Sequence, residues 1–455
     1  MLLFCGTTDV PGESAATAGF DGEKHSGAST ANTSIKQYTL EQAVEIGLNR
    51  SIVLSNARRD REIAETRVRQ VRAQVLPHLT ASGDYTRLDE VSSMTFDDRD
   101  IEMGQLDNYS AGVEARQLLY AGGSVRAALK AAKSYRAISE IDIRRTRQRL
   151  TRNIRVAFYA ILLARTDVKV QEESLEQLEG LAREAREKYE NETASEFDLL
   201  SAQVRVANQQ PLVIQARNTL DVTKSVFRQL LHLDDELFEV QGSLAFVPAD
   251  ISLEDVRGAA RQNRPEIRQQ LKRIDLMQAD ARAEWGTYLP RIYARGAYIG
   301  EDPSSAGFGE DGWQWSWNAG LMAEWALLDG GLRRARVMEK RLELAKAQAT
   351  LQDIELAVDV EVKQYYLDMQ NAAEAYEASR DNVTLAEKSL AIAKTRYEAG
   401  LSTYLEFTDT NLALSRARLT RATALKRHME AVAELQYACG LSDHAFRELE
   451  GAQAQ

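Results

Sequence analysis

Cysteine is what this chain has least of, and proline is scarce. Its two cysteines, Cys5 and Cys439, stand at opposite ends of 455 residues. They read as two free thiols, and a disulfide-stapled scaffold is excluded. Seven prolines in that length leave room for long regular elements in place of several ordinary domains. The five histidines, His25, His78, His232, His428 and His444, are scattered without metal-ligand spacing, and no nucleophile elbow or base–nucleophile pair accompanies them. No catalytic residue, cofactor site or metal site is therefore expected, and the chain does not read as an enzyme. Gly307 to Gly312 matches G-x-G-x-x-G, but it stands in an acidic stretch ahead of a tryptophan-rich segment and opens no helix, so it is no dinucleotide fingerprint. A basic excess is missing as well: the net charge of −11 excludes nucleic acid as an expected partner. No window approaches about 18 consecutive apolar residues, which rules out a transmembrane helix but leaves a membrane barrel open.

What is present begins with an odd N-terminus. Met1-Leu2-Leu3-Phe4-Cys5-Gly6 looks like the tail of an apolar signal region without its basic start, as a truncated beginning would. Lipid attachment at Cys5 would want a small residue before it, where Phe4 stands. Residues 7 to about 34, rich in Gly, Ser, Thr and Ala, read as a disordered lead.

The chain then repeats itself. Thr39 to Tyr85 recurs as Ser252 to Tyr298, with Leu76-Pro77 matching Leu289-Pro290 and Ala81, Gly83 and Tyr85 matching Ala294, Gly296 and Tyr298. Tyr109 to Leu233 recurs as Trp317 to Leu441, with Gly122-Gly123 and Tyr189-Glu190 among the shared positions. Two large copies make a pseudo-symmetric protomer, unlike a solenoid of many short units. The expected division is a lead at 1–37, repeat 1 at 38–233, a linker at 234–251, repeat 2 at 252–441 and a tail at 442–455.

Each copy predicts the same order. A helix (Leu40 to Val75; Leu253 to Tyr288), with breaks expected near Ser51 and at Arg264-Pro265, stops before a proline. Two strands of period-two alternation follow, at about 78–88 and 109–119, and at about 290–300 and 314–328, each pair joined by a polar, acidic loop. Gly122-Gly123 and Gly330-Gly331 then turn the chain into a helix of nearly 70 residues, about 100 Å long. Its apolar column is heptad: Ile154, Ile161, Val168, Leu175, Ala182 and Tyr189, matched by Val362, Met369, Tyr376, Val383, Leu390 and Tyr397. A second column is mostly small, and two narrow columns suit a helix walled on both sides, as in a tube. Helices from Ser195 to His232 and Thr403 to Gly440 run back, and Pro211 is expected to kink or interrupt the first.

The strands decide the environment. Four strands cannot close a barrel, since bacterial membrane barrels need at least about eight, so an oligomer must pool them. The apolar faces end in aromatics, Tyr85, Tyr109, Tyr298, Trp315, Trp317 and Trp325, as a membrane girdle would. Asp84, Glu114, Arg116, Arg295 and Glu324 fall on the other face and suit a wet lumen. A soluble structural coiled coil is the rival reading, and a rod has no use for such strands.

On these residues the chain resembles the TolC family of outer membrane efflux proteins over about residues 38 to 441. The resemblance implies a mainly α fold with a membrane β-barrel part: a homotrimer whose twelve-stranded barrel, four strands from each copy, continues into an α-helical barrel across the periplasm. Residues 234–251 and 442–455 would lie around its equator. It implies an exit duct in the outer membrane for small molecules such as drugs and toxic compounds, in a tripartite pump with a periplasmic adaptor and an inner membrane pump. Type I protein secretion is the alternative cargo route. The family's tip pattern falls on Tyr397, Ala399, Gly400, Leu401 and Ser402, then Glu406 and Asp409. It implies adaptor docking at Ala399–Ser402 and a ring of gate carboxylates from Glu406 and Asp409, which share a helix face. It also implies a lock between Asp198 and Tyr397. The twin tip departs from the pattern, with Glu192 where the glycine belongs, and Ser402 stands where the family's lock can use an arginine.

Overall fold

The computed structural model describes residues 36–91, 93–96, 99–102, 105–234, 237–246, 248, 251–302, 312–442 and 445–446. Cys5, His25, the lead up to residue 35, the G-x-G-x-x-G segment before Gly312, His444 and the tail from residue 447 lie outside them. In repeat 1 the elements are β1 (Lys36–Tyr38), α1 (Leu40–Arg50), α2 (Ile52–Ala73), β2 (His78–Arg87), β3 (Ser93–Phe96), β4 (Arg99–Glu102), β5 (Asp107–Ala121), α3 (Ser124–Glu190) and α4 (Glu196–Leu231). After β6 (Phe238–Val240) come α5 (Leu253–Asn263), α6 (Pro265–Trp285), a 3-10 turn at Gly286–Tyr288, β7 (Arg291–Asp302), β8 (Gln314–Glu324), α7 (Leu332–Glu398) and α8 (Tyr404–Cys439).

Local chemistry sets the boundaries. Thr39 and Gln42 cap α1 reciprocally, and Ser51, extended at the break, accepts the Leu54 N–H to start α2. Pro265 opens α6 at its first turn, where its missing N–H has no intrahelical partner to lose. The long helices α3 and α7 have 67 residues each and begin after glycine pairs with φ between +62° and +90°, a left-handed entry that other residues resist. At Gly122 a Cβ would also sit 2.2 Å from the Gly286 carbonyl oxygen. This close approach joins the strand-to-helix corner of repeat 1 to the helix-to-strand corner between α6 and β7 of repeat 2.

Four sequence expectations need correction. Pro211 lies inside an unbroken α4 of 36 residues, because tertiary packing along α3 holds the helix through one missing N–H. The acidic stretch between β2 and β5 carries a small hairpin of its own, β3 paired with β4. The last strand ends at Glu324, so Trp325 lies just beyond it. The linker is in part a strand: β6 pairs in parallel with β1, Tyr38 opposite Val240, a pairing of two short segments that alternation could not show.

The sheet has the order β2-β5-β7-β8 and is antiparallel throughout. Its register aligns the apolar residues of all four strands. Leu79, Ala81, Gly83 and Tyr85 face Ala115, Val113, Ala111 and Tyr109. Val113 then faces Tyr298 and Ala115 faces Gly296, while Tyr298, Gly296 and Ala294 face Trp317, Ala319 and Leu321. Opposite residues share a face, so one side of the sheet is apolar across its whole width. The other side carries Asp84, Glu114, Arg116, Arg295 and Glu324 at the alternate positions. There Arg295 pairs with Glu114 at 3.0 Å and Arg116 lies 4.1 Å from the Tyr293 ring.

Buried apolar clusters form where the short helices meet the long ones. Ile154, Ile161, Phe158 and Leu162 of α3 pack with Phe227 and Leu231 of α4 and Phe238 and Val240 of β6. Val358, Val362 and Met369 of α7 pack with Val256, Leu435 and Ala438. Cys439 is buried here with a free thiol, and burial pushes that thiol up to about 12. Along α7, Leu356, Val360, Leu385 and Ile392 are exposed, as are Val204, Ile214, Val222 and Val226 along α4.

Candidate functional site

Two tips end the helical layer, one between α7 and α8, the other between α3 and α4. At the first, the Gly400 N–H donates to the Tyr397 carbonyl at 3.0 Å and the Leu401 N–H to the Arg396 carbonyl at 2.8 Å. Gly400 sits at φ +71°, so the helix is stopped by a left-handed glycine. Thr403 restarts the chain, its hydroxyl accepting the Glu406 N–H at 3.2 Å. The Glu406 carboxylate completes no reciprocal box. It takes a short hydrogen bond from the Ser402 hydroxyl, which, with the Thr403 backbone and Arg396 adding, holds it below its ordinary range. Ala399, Gly400 and Leu401 stand exposed at the apex and Ser402 is half-buried.

The twin tip solves the same turn differently. Glu192 takes the left-handed position, φ +59°, without being glycine, a strained conformation for a side chain with a Cβ. Ser195 and Asp198 form a full capping box: the Ser195 hydroxyl donates to Asp198 at 2.7 Å and accepts the Asp198 N–H at 3.2 Å. The Asp198 carboxylate is thus engaged within its own tip, and no hydrogen bond joins it to Tyr397 in the protomer.

Tyr397 has other partners. The Lys188 ammonium donates to its hydroxyl at 3.3 Å and lies 4.5 Å from the ring centroid, while Glu184 holds the same ammonium at 2.7 Å. Hydrogen bonding to Glu184 and then to Tyr397 pushes Lys188 up, so it stays charged. Phe407 stacks on the Tyr397 ring at 5.4 Å, and Tyr404 meets it edge-on at 6.4 Å. Lys188 and Tyr397 lie 209 residues apart and tie the two tips together. Tyr404 is buried among Ala185 and Ala202, and its hydroxyl has no hydrogen-bond partner among the described residues.

The two carboxylates differ in company. Glu406 and Asp409 are both exposed on one face of α8, but Asp409 is bridged by Arg205 of α4 at 3.3 Å. Sequence reasoning missed Lys188 and Arg205. Lys188 aligns with Arg396 in the other copy, and Arg205 aligns with Ala413, so a basic residue at 205 breaking the repeat was the available signal.

The aromatics form two bands instead of one. Tyr85 and Tyr109 meet at 5.0 Å, Tyr298 stacks on Trp315 at 5.0 Å, and Trp313 joins at 6.0 Å; with Trp317 these lie toward the hairpin ends. Trp325 lies at the helical end, its indole N–H donating to the Tyr288 carbonyl at 3.0 Å. From Trp315 to Trp325 the chain runs ten residues, about 34 Å at the rise of an extended strand.

A sheet with one apolar face, set on long paired helices with turned tips, defines the protomer of a TolC-like outer membrane channel. A family model described as Outer membrane efflux protein matches residues 44–231 and 256–441, so the chain belongs to the outer membrane efflux protein family. That family is one of transport channels of the outer membrane, not enzymes. Among relatives, the probable efflux pump outer membrane protein TtgC of Pseudomonas putida is 26% identical over 392 residues, 81% of this chain and 76% of its own length. Protein CyaE of Bordetella pertussis is 31% identical over 196 residues, covering 42% of this chain but only 40% of that protein. A membrane protein from Pseudomonas aeruginosa has the same fold, with a TM-score of 0.76 at 20% identity over 90% of this chain and 91% of its own.

Proposed function

We propose that three copies of this chain form an outer membrane exit duct that exports small molecules from the periplasm within a tripartite efflux pump. The observation that carries this reading is the register: one continuous apolar face ends in two unpaired edge strands, β2 and β8. Open edges on an apolar sheet demand partners, and pairing β8 of one copy with β2 of the next closes twelve strands into a barrel. The helices support the same closure. Helix α3 packs against α2, α4, α6 and α8, whereas α7 packs chiefly against α6 and α8. Its exposed leucines are where α2 and α4 of a neighbouring copy belong.

The tips would then gather at the far end of the duct. Glu406 and Asp409 from three copies make a carboxylate ring that favours cations and repels anions, with Asp409 partly compensated by Arg205. Tyr397 serves as the lock, held by Lys188 within its protomer and by Asp198 in the closed assembly. Leu401, at the apex of the α7–α8 tip, is 71% exposed and, with Ala399, Gly400 and Ser402, offers the surface for a periplasmic adaptor that couples the duct to an inner membrane pump. The efflux-pump name of the Pseudomonas putida relative supports small-molecule cargo.

Conductance of the purified oligomer in a planar bilayer tests this function. Wild type should show a small, cation-preferring conductance, and Glu406→Ala with Asp409→Ala should abolish the preference. An unchanged selectivity in the double variant would refute the ring. Tyr397→Phe combined with Asp198→Ala should raise conductance, and no change would refute the lock.

A further inference from the structure

Immediately beneath the sheet, where β5 turns into α3, lies a groove of about 800 Å³ lined by Gly122, Gly123, Arg126, Lys130, Lys133, Arg282 and Trp285 among others. Four cations and an exposed indole line it, and no carboxylate does, in a chain whose net charge is −11. Arg126, Lys130 and Lys133 follow one face of α3 at helical spacing, while Arg282 and Trp285 share a face of α6. Among the described residues no ion pair or hydrogen bond engages the four cationic side chains, and all four are exposed.

Position within the fold narrows the ligand. Gly122 follows the last residue of β5, so the groove starts where the apolar sheet stops. Trp285, at 51% exposure, is joined at this level by Tyr120 and Trp325, at 44% and 58%, the aromatic belt that marks a bilayer boundary. From Arg126 to Lys133 the helix descends about 10 Å, about the depth of a headgroup layer with the reach of a lysine added. Arg126 and Lys133 also stand on the heptad column that continues to Ile154 and Ile161. There the column is roofed by α1 and β6, a layer that the proposed duct would carry on its outside. The groove therefore faces lipid level from outside the duct. The second corner repeats the charge: Arg334 and Arg341 take the places of Arg126 and Lys133, and Arg69 that of Arg282.

We propose that this groove binds the headgroup phosphate of an anionic phospholipid in the periplasm-facing leaflet, the guanidinium and ammonium groups holding the phosphate and the Trp285 indole lying along the glycerol and upper acyl chain. Arg126 and Arg282 present planar donors suited to two phosphate oxygens, and the lysines add compact charge. Two such corners per chain, one within the protomer and one completed by a neighbour, would fasten the duct at a fixed depth. The proposal rests on reading the sheet as part of a membrane barrel.

Native mass spectrometry of the full-length protein extracted from vesicles of equal phosphatidylglycerol and phosphatidylcholine tests it. Wild type should retain phosphatidylglycerol in preference. The combined variant Arg126→Gln, Lys130→Gln, Lys133→Gln and Arg282→Gln should lose that preference, by about fivefold for each cation removed. The charge-preserving variant Lys130→Arg with Lys133→Arg should keep it. Equal retention by wild type and the glutamine variant overturns the groove while leaving the barrel standing, and so does loss in the charge-preserving variant, which would mark a defect of folding. Release of the lipid by millimolar inorganic phosphate would mean a free-anion site and overturns the lipid assignment. Failure of wild type to enter phosphatidylcholine vesicles at all would instead overturn the barrel reading itself.

Discussion

Ser402 and Glu406 meet at a turn through a short hydrogen bond, and in the proposed duct that bond would set how the tip responds to acid. A carboxyl held below its ordinary range stays ionised where a free glutamate, near pH 4.3, is about half protonated. Its charge, and any stability that charge confers, is fully present above the free value and is lost only as pH falls through the lowered one. Cation preference, followed from pH 7 to pH 3, should therefore be lost at a lower pH than an ordinary glutamate would give. Ser402→Ala should move the loss to higher pH, whatever crowding in a trimer adds. A titration that does not move in the variant would contradict the role of the hydroxyl. Glu192 makes a second prediction at this scale. Its left-handed backbone is relieved in Glu192→Gly, which should steady the α3–α4 tip by about 1 kcal/mol, seen as slower amide exchange at Asn191 to Ser195. Much of this tip chemistry was legible in the sequence, because capping residues and turn glycines act within four positions of one another. The Lys188–Tyr397 and Arg205–Asp409 contacts were not, since each joins residues more than 200 apart and nothing local announces it.

At the scale of elements, the two glycine corners are alike in backbone and different in company. Gly122 meets Gly286 inside the protomer, whereas nothing lies within 4 Å of a Cβ built on Gly330. The repeat places Ala73 of a neighbouring copy against Gly330, as Gly286 lies against Gly122. Gly122→Val should thus destabilise the protomer by about 3 kcal/mol, read from helical circular dichroism on heating. Gly330→Val carries the same left-handed strain without that clash, so it should cost the protomer less than Gly122→Val and in addition weaken the oligomer, read from detergent-solubilised mass. The reverse pattern would contradict the placement. Strand alternation and the heptads showed these elements plainly, since a half-buried strand and a walled helix each impose one period on their sequence. Pro211 misled because propensity is local and the packing of α4 on α3 is not. The β1–β6 pair stayed hidden because three-residue strands have no period to read.

For the whole molecule, the proposed assembly makes the protomer one third of an architecture whose missing pairings its own repeat predicts. The repeat carries β5 onto β8 and β7 onto β2, so the pairing seen between β5 and β7 predicts the pairing between β8 and the next copy's β2. Glu114 lies opposite Ala297; by the repeat, Met322 lies opposite Asp84 of the neighbour, both on the polar face. The apolar face, the two aromatic bands and the exposed sides of α4 and α7 all become buried or lipid-facing in that assembly. Cys439, with its buried thiol, stays out of any oxidation chemistry at the seam. Oxidising the Asp84→Cys/Met322→Cys double variant in detergent, with each single variant as control, therefore tests the account most directly. A covalent trimer closed by three disulfides, absent from both single variants, is the predicted result. Uncrosslinked chains, or a protein fully folded and monodisperse as a monomer in buffer without detergent, would contradict it.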